Sequence, residues 1–423
     1  MKTQFARRTL ACVIALFGTA VDASAQTLAS RVSSSAARSV QFSYPARPGV
    51  CGDGRTYISM RESFVGTYTT GSATEQCQAG PVRVVIDLAD RSVIALRTYV
   101  GGAAADAPVA DLGTVTPVEA ADYLLTVAAR ADGRVGRDAI FAALLGENVD
   151  VSARLLDIAR DAGRPLETRS AALSGLARSD ARSLDRVGAA LVQIARNEDE
   201  AQRIRSHALS VLARLDQGAG VQPLIQLATA NTTSWIGRES MRVLARSGDP
   251  RARQFLRSIV QRTDLPDDVL AEALRGVGGS YVTAQDAALL RSLYPRLTGG
   301  NSRNAVLSAL ANLGGTDNVQ WVMGIVRDER ASPEVRRRAL QHARRAGAPI
   351  ATLVALYDAA QDTQVRSSLI DVYRSDASKT ATDKLVWIAR NEQSTTLRRR
   401  AISALSRNSD PQVRQALQAI VER

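Results

Sequence analysis

A chain of 423 residues with a net charge of +12 and only 4% aromatic residues is too long for one hydrophobic core and too poor in large rings for an aromatic-packed one. The basic excess is almost all arginine, since lysine occurs only at positions 2, 379 and 384, and it favours an acidic partner: nucleic acid, an anionic envelope surface or an acidic protein. Two histidines in the whole chain leave no imidazole cluster for a transition-metal centre, and no cofactor is implied.

Residues 1–25 read as a secretory signal peptide. Lys2, Arg7 and Arg8 form the positive end, Thr9 to Val21 the apolar stretch, and Ala23-Ser24-Ala25 the small-residue cleavage site. Losing Lys2, Arg7, Arg8 and Asp22 lowers the charge from +12 to +10. Export removes nucleic acid from the candidate partners and leaves a protein partner, acidic by charge, or an anionic envelope component. The expected location is periplasmic or extracellular. No other apolar run is long enough to cross a bilayer, so an integral membrane protein is not expected.

Residues 26–39, rich in Ser, Ala and Arg without periodicity, read as a flexible leader. Residues 40–115 read as a small β-rich module plus linker. Val82, Val84, Ile86 and Leu88 alternate with Arg83, Val85 and Asp87, and Ala89-Asp90-Arg91 turns the chain into a second strand from Val93 to Val100. Thr56 to Met60 and Phe64 to Thr69 are weaker strand candidates. Cys51 and Cys77 are the two cysteines left after processing and, in an exported chain, are expected to form a disulfide. Cys51-Gly-Asp-Gly-Arg55 fits neither a phosphate loop nor a calcium loop, and reads as a tight glycine turn. Gly101 to Asp111 is the expected linker.

From Thr116 to Arg423 a helical hairpin recurs about every 33 residues. First helices carry an arginine and then two apolar residues three apart: Arg169, Leu173 and Leu176; Arg205, Leu209 and Leu212; Arg336, Leu340 and Ala343; Arg398, Ile402 and Leu405. Second helices carry two aliphatics three apart, such as Leu155/Ile158, Leu191/Ile194, Val322/Ile325 and Leu385/Ile388. Asp249-Pro250, Ser332-Pro333 and Asp410-Pro411 place a capping side chain ahead of a proline at the first helical position.

Ser332-Pro-Glu-Val-Arg-Arg-Arg-Ala-Leu340, Asp362-Thr-Gln-Val-Arg-Ser-Ser-Leu369 and Leu166-Glu-Thr-Arg-Ser-Ala-Ala-Leu173 resemble the short HEAT repeat of the phycobilin-lyase-like subtype, whose pattern is D-x-x-V-R-x-x-A followed by spaced leucines. The resemblance covers residues 116–423 and implies a mainly α fold, a right-handed α-α superhelix of about nine helical hairpins, preceded by the β module. It also implies that the first-helix arginines pack between repeats and pair with acids such as Glu167, Glu334 and Asp362. Similarity to deoxyhypusine hydroxylase within that subtype would imply iron ligands from His-Glu pairs. His207 and His342 are each followed by alanine, so that chemistry is not expected here, nor is bilin attachment.

The position two beyond the last anchor of a second helix falls about 160° from the anchor pair at 100° per residue, and so points to solvent. It carries Arg130, Arg160, Arg196, Arg327 and Arg390, and Trp387, Gln193 and Gln226 fall on the same side. The resemblance implies that second helices line a concave face. These eight residues are the candidate partner-binding set of an exported, non-catalytic scaffold. The alternative is a polymer- or glycan-binding envelope protein in which Tyr44, Tyr57, Tyr68 and Tyr99 of the β module form aromatic platforms and the array is a spacer. An enzyme of unrecognised type is the third reading.

Overall fold

The computed structural model describes residues 26–60, 77–102, 109–131, 133–262, 264–406 and 411–421. Residues 1–25, where a signal peptide is expected, the strand candidate Phe64–Thr69 and Asp410 lie outside the described residues. The chain divides into two compact units, Met1–Val149 and Asp150–Arg423.

The first unit begins with α1 (Leu28–Ser34), β1 (Ser39–Tyr44), β2 (Val50–Gly52) and β3 (Ile58–Met60). It continues with β4 (Val82–Ala89), β5 (Ser92–Val100), β6 (Ala110–Thr114), α2 (Pro117–Arg130) and α3 (Gly133–Ala143). The main sheet has the order β5-β4-β1-β6, with β1 antiparallel to β4 and parallel to β6. Period-two alternation sends Val82, Val84 and Ile86 inward, opposite Tyr44, Phe42 and Val40 of β1. The β4–β5 hairpin turns through Asp90 and Arg91, both left-handed at φ 48° and 62°, which matches strand twist in a two-residue loop.

Two expectations change here. Residues 26–39 are not a featureless leader: Leu28 and Val32 of α1 are buried, the Leu28 amide donates to Glu119 at 2.7 Å, and Arg31 donates to the Leu112 carbonyl at 2.9 Å. An apolar pair four apart with an arginine between them is enough to dock one short helix. Nor does the β-rich unit end at 115. The last two residues of the expected linker, Ala110 and Asp111, open β6 of the sheet, and the α2–α3 hairpin closes the sheet's apolar face. Phe42 meets Tyr123 edge-on at 6.1 Å, and the Tyr44 hydroxyl donates to the Ala142 carbonyl at 2.6 Å. The unit boundary therefore falls at 149/150, because a sheet with one apolar face needs a helical layer to cover it.

Cys51 and Cys77 form the disulfide, with Cα atoms 5.2 Å apart. Next to it, Asp53 Oδ1 accepts the amides of Arg55, Thr56 and Tyr57 at 2.8–2.9 Å, which makes the glycine segment a tight turn as expected. Gly54, at φ +76°, lies where a Cβ would come 2.8 Å from the Gly101 carbonyl oxygen, so only glycine fits.

The second unit is helical throughout its described residues. It runs through α4 (Ser152–Arg160), α5 (Leu166–Leu176), α6 (Leu184–Arg196), α7 (Gln202–Leu212), α8 (Val221–Ala230), α9 (Trp235–Ser247), α10 (Pro250–Ile259), α11 (Asp267–Val277) and α12 (Ala284–Leu293). It continues with α13 (Gly300–Leu313), α14 (Thr316–Arg327), α15 (Pro333–Arg345), α16 (Ile350–Ala359), α17 (Thr363–Arg374), α18 (Lys379–Asn391), α19 (Thr395–Leu405) and α20 (Pro411–Val421). Odd-numbered helices from α5 to α19 pack side by side in one layer, and each also packs on the even-numbered helix that precedes it.

Leucines three apart drive this stacking. Leu173, Leu176, Leu209, Leu212, Leu307 and Leu310 are at most 1% exposed, and full burial of such a side chain stabilises by about 1.5–3 kcal/mol. Asp249 and Ser332 accept the amides of Arg251 and Val335 ahead of Pro250 and Pro333, and Pro295 ends α12 in a single 3₁₀ turn. Two anchors are shifted from expectation: Ile325 and Ile402 are half-buried, while Val326 and Ala401 take the interior positions.

Candidate functional site

The repeated arginines of the first helices are the natural starting point, because their spacing suggests a ladder. Arg169 Nε donates to the Ala159 carbonyl at 2.9 Å, Arg205 Nε to Ala195 at 3.0 Å, Arg336 Nε to Val326 at 2.9 Å and Arg366 Nε to Tyr357 at 3.3 Å. Each bond ties an odd helix to an orphan carbonyl in the last turn of the even helix before it. The guanidinium heads then reach sideways: Arg169 to Glu200, Arg366 to Glu392 at 3.3 Å, and Arg205 over the Trp235 ring at 4.5 Å. The arginines are packing groups as the resemblance implies, but their acids differ from those expected. Glu334 instead pairs with Arg337 and Arg338, and Asp362 caps α17.

Those bonds also set the register of the second helices. The residue after the capped carbonyl is Arg160, Arg196, Arg327 and, in α16, Asp358. Arg160, Arg196, Arg327 and Arg390 are all exposed, as are Gln193 and Gln226. None of the four arginines makes an ion pair among the described residues. Arg130, the last residue of α2 in the first unit, is exposed too. The basic stripe is not continuous. Thr229, Gln261 and Pro295 occupy the same position between Arg196 and Arg327, and the carboxylate of Asp358 stands between Arg327 and Arg390.

At that carboxylate the structure assembles a cluster that the stripe alone does not show. Lys384, 9% exposed, places Nζ 2.6 Å from Asp358 Oδ1, 5.2 Å from the Tyr357 ring centre and 4.2 Å from that of Trp387. Trp387 itself is 46% exposed, its ring held by the lysine and open to solvent elsewhere. Beneath it the Tyr357 hydroxyl donates to Glu392 Oε2 at 2.7 Å. Burial pushes Glu392 up, but the Ser394 amide, the Tyr357 hydroxyl and Arg366 outweigh it and hold the carboxyl below the usual range. The result is a solvent-facing indole packed against a buried lysine, three residues before Arg390 on the same helix. Lys384 is one of only two lysines in the helical array, which is the one sequence signal that could have marked it.

The two histidines and Trp321 serve packing. His207 Nε2 lies 2.9 Å from Ser174 Oγ, and His342 Nε2 lies 3.0 Å from Asn304 Oδ1, so both histidines bridge neighbouring repeats. Trp321 stacks edge-on against Tyr294 at 5.1 Å. In the β module Tyr44 is 1% exposed and part of the core, Tyr57 is 37% exposed, Tyr99 is half-buried and Tyr68 lies outside the described residues. Tyr44 therefore cannot serve in an aromatic platform. A cleft of about 680 Å³ opens on the opposite layer, between α15, α17 and α19. Among the described residues no helix is long and apolar enough to cross a membrane.

Residues 188–278, spanning α6 to α11, match the family model described as HEAT repeats. The arginine-to-carbonyl bonds recur on both sides of that stretch, at Arg169 and again at Arg336 and Arg366, and the chain carries HEAT repeats. No curated protein matches it. Among solved structures it is similar to a homology model of the full-length AP-3 complex in an intermediate open conformation, with 14% identity, 72% of this chain and 56% of that one covered, and a TM-score of 0.37. A lipovitellin structure gives 11%, 81%, 40% and 0.44, and human deoxyhypusine hydroxylase in complex with glycerol gives 13%, 72%, 96% and 0.24. The chain spans about half or less of the first two, and these similarities assign no activity to it.

Proposed function

We propose that the chain is an exported, non-catalytic scaffold that holds an acidic protein partner on the second-helix side of its array. The observation that carries this reading is the exposure of Trp387 beside Arg390, with Arg160, Arg196 and Arg327 exposed at equivalent positions and free of ion pairs among the described residues. Stacking of the repeats requires none of these side chains. An aromatic ring held in place by Lys384 meets a partner at little entropic cost, and tryptophan and arginine are the residue types that most often dominate interfaces. Unpaired guanidinium groups steer an acidic surface toward the ring.

Export is supported by the basic, apolar and small-residue order of residues 1–25 and by the Cys51–Cys77 disulfide, a bond that persists in oxidising compartments. The test is capture from an envelope extract by the full mature chain, compared with Arg196→Glu/Arg327→Glu/Arg390→Glu and with Trp387→Ala. Loss of the same captured protein from both variants, with unchanged circular dichroism, is the expected result. Equal capture by all three proteins would overturn the reading.

A further inference from the structure

The cleft between α15, α17 and α19 lies on the first-helix layer, away from the arginines of the second helices, and we infer that it is a separate groove for an extended acidic peptide segment. Its floor is apolar, made by Leu340, Val372 and Leu397. Its walls carry Gln341, Gln364 and Ser367, whose side chains have no hydrogen-bond partner among the described residues. A glutamine amide offers both donors and acceptors, which suits the alternating N–H and C=O groups of an extended backbone. An apolar ligand uses neither group, and a metal ion would use only the oxygens.

Charge selects the occupant. Along this layer Asp371 is shared by Arg374 and Arg400, Glu334 is shared by Arg337 and Arg338, and Asp376 holds Arg344. Five arginines thus meet three carboxylates, and Arg337, Arg344 and Arg400 remain 38%, 38% and 47% exposed at the cleft. Guanidinium groups that share a carboxylate keep unused donors, and a ligand carboxylate can accept two at once. The groove crosses three adjacent helices, so it runs for two interaxial steps of about 8–10 Å, the length of roughly five or six extended residues. Its volume of about 680 Å³ suits a segment of that size and is too small for a folded domain.

This groove does not depend on the second-helix surface, and the experiment separates the two. Fluorescence anisotropy of the full mature chain is measured with a labelled peptide of alternating Glu and Ser, its Gln-Ser counterpart, and a single-stranded oligothymidylate of equal charge. Gln341→Ala/Gln364→Ala and Arg400→Gln are compared with the wild type and with Arg196→Glu/Arg327→Glu/Arg390→Glu. The acidic peptide should bind at least about tenfold tighter than the neutral one, and each groove variant should weaken it about tenfold, the size of one charge-assisted hydrogen bond for Arg400→Gln and of two neutral ones for the glutamine pair. The second-helix variant should bind as wild type does, even if partner capture through that face fails. The inference is overturned if the neutral peptide binds equally, if the oligothymidylate binds as tightly as the acidic peptide, or if both groove variants bind unchanged while their thermal melts match wild type.

Discussion

Arg169 donates from Nε to the carbonyl oxygen of Ala159 at 2.9 Å, and that one bond joins α5 to the last turn of α4. The same relationship, ten residues apart, recurs as Arg205 to Ala195 and Arg336 to Val326. It satisfies a carbonyl that the end of a helix leaves without a partner. At Arg169 the head group also meets Glu200, with side chains only 4% and 12% exposed. Arg169→Ala should therefore destabilise the array by about 2–3 kcal/mol, because it leaves a nearly buried carboxylate unpaired. Arg160→Ala, on the exposed side, should stay within about 0.5 kcal/mol. Urea unfolding followed by helix signal compares the two, and equal midpoints would contradict the packing role.

The Tyr357 hydroxyl bonds to a Glu392 carboxylate that is itself only 6% exposed. Tyr357→Phe keeps the ring under Lys384 but removes that donor, so a loss of about 1–2 kcal/mol is expected. Trp387 reports on the same cluster. Its emission should shift when Lys384 is replaced by Met and change little in Tyr357→Phe, since the lysine and not the tyrosine lies against its ring.

His342 supplies a pH dependence. Burial first, then the positive charges of Arg345 and Arg338, lower its pKa from 6.5 to about 4. The folded state thus favours the neutral ring. Its contribution is fully present above pH 6.5 and is lost as the pH falls through the interval down to about 4. The loss is on the order of 2 kcal/mol, less than the full shift implies, because local relaxation and solvent soften the cost of charging the ring. His342→Gln preserves a bond to Asn304 without titrating, and its stability should fall less over that interval than that of the wild type.

Reduction of the Cys51–Cys77 bridge should act on the first unit. Freeing a loop of 26 residues lowers its stability by about 3 kcal/mol in the chain-entropy account. Hydrogen exchange of β4 and β5 with and without reductant measures this, and protection of α5 to α19 should not change.

Much of this architecture is legible from the amino-acid order. Leu173/Leu176 and Leu209/Leu212 mark buried faces because a helix repeats its environment every three to four residues, a rule that needs no knowledge of the neighbour. The exposure of Arg160, Arg196, Arg327, Arg390 and Trp387 follows from the same angle. The Asp90-Arg91 turn and the Asp249-Pro250 cap are likewise local, since both lie within a few bonds of the backbone groups they serve.

By itself, then, the sequence determined the helical period, the stacking faces, the β hairpin and the cysteine pair. Only the tertiary structure decided which acid meets which arginine, placing Glu200 and not Glu167 against Arg169. It also drew Tyr44 into the core and α1 onto α2, set Asp358 into the arginine series beside Lys384, and opened the cleft under Gln341 and Gln364. Periodicity specifies how a residue faces relative to its own helix axis. Contact between side chains on different helices depends on axial shift and rotation between those helices, and these emerge only when the whole set of side chains is packed together.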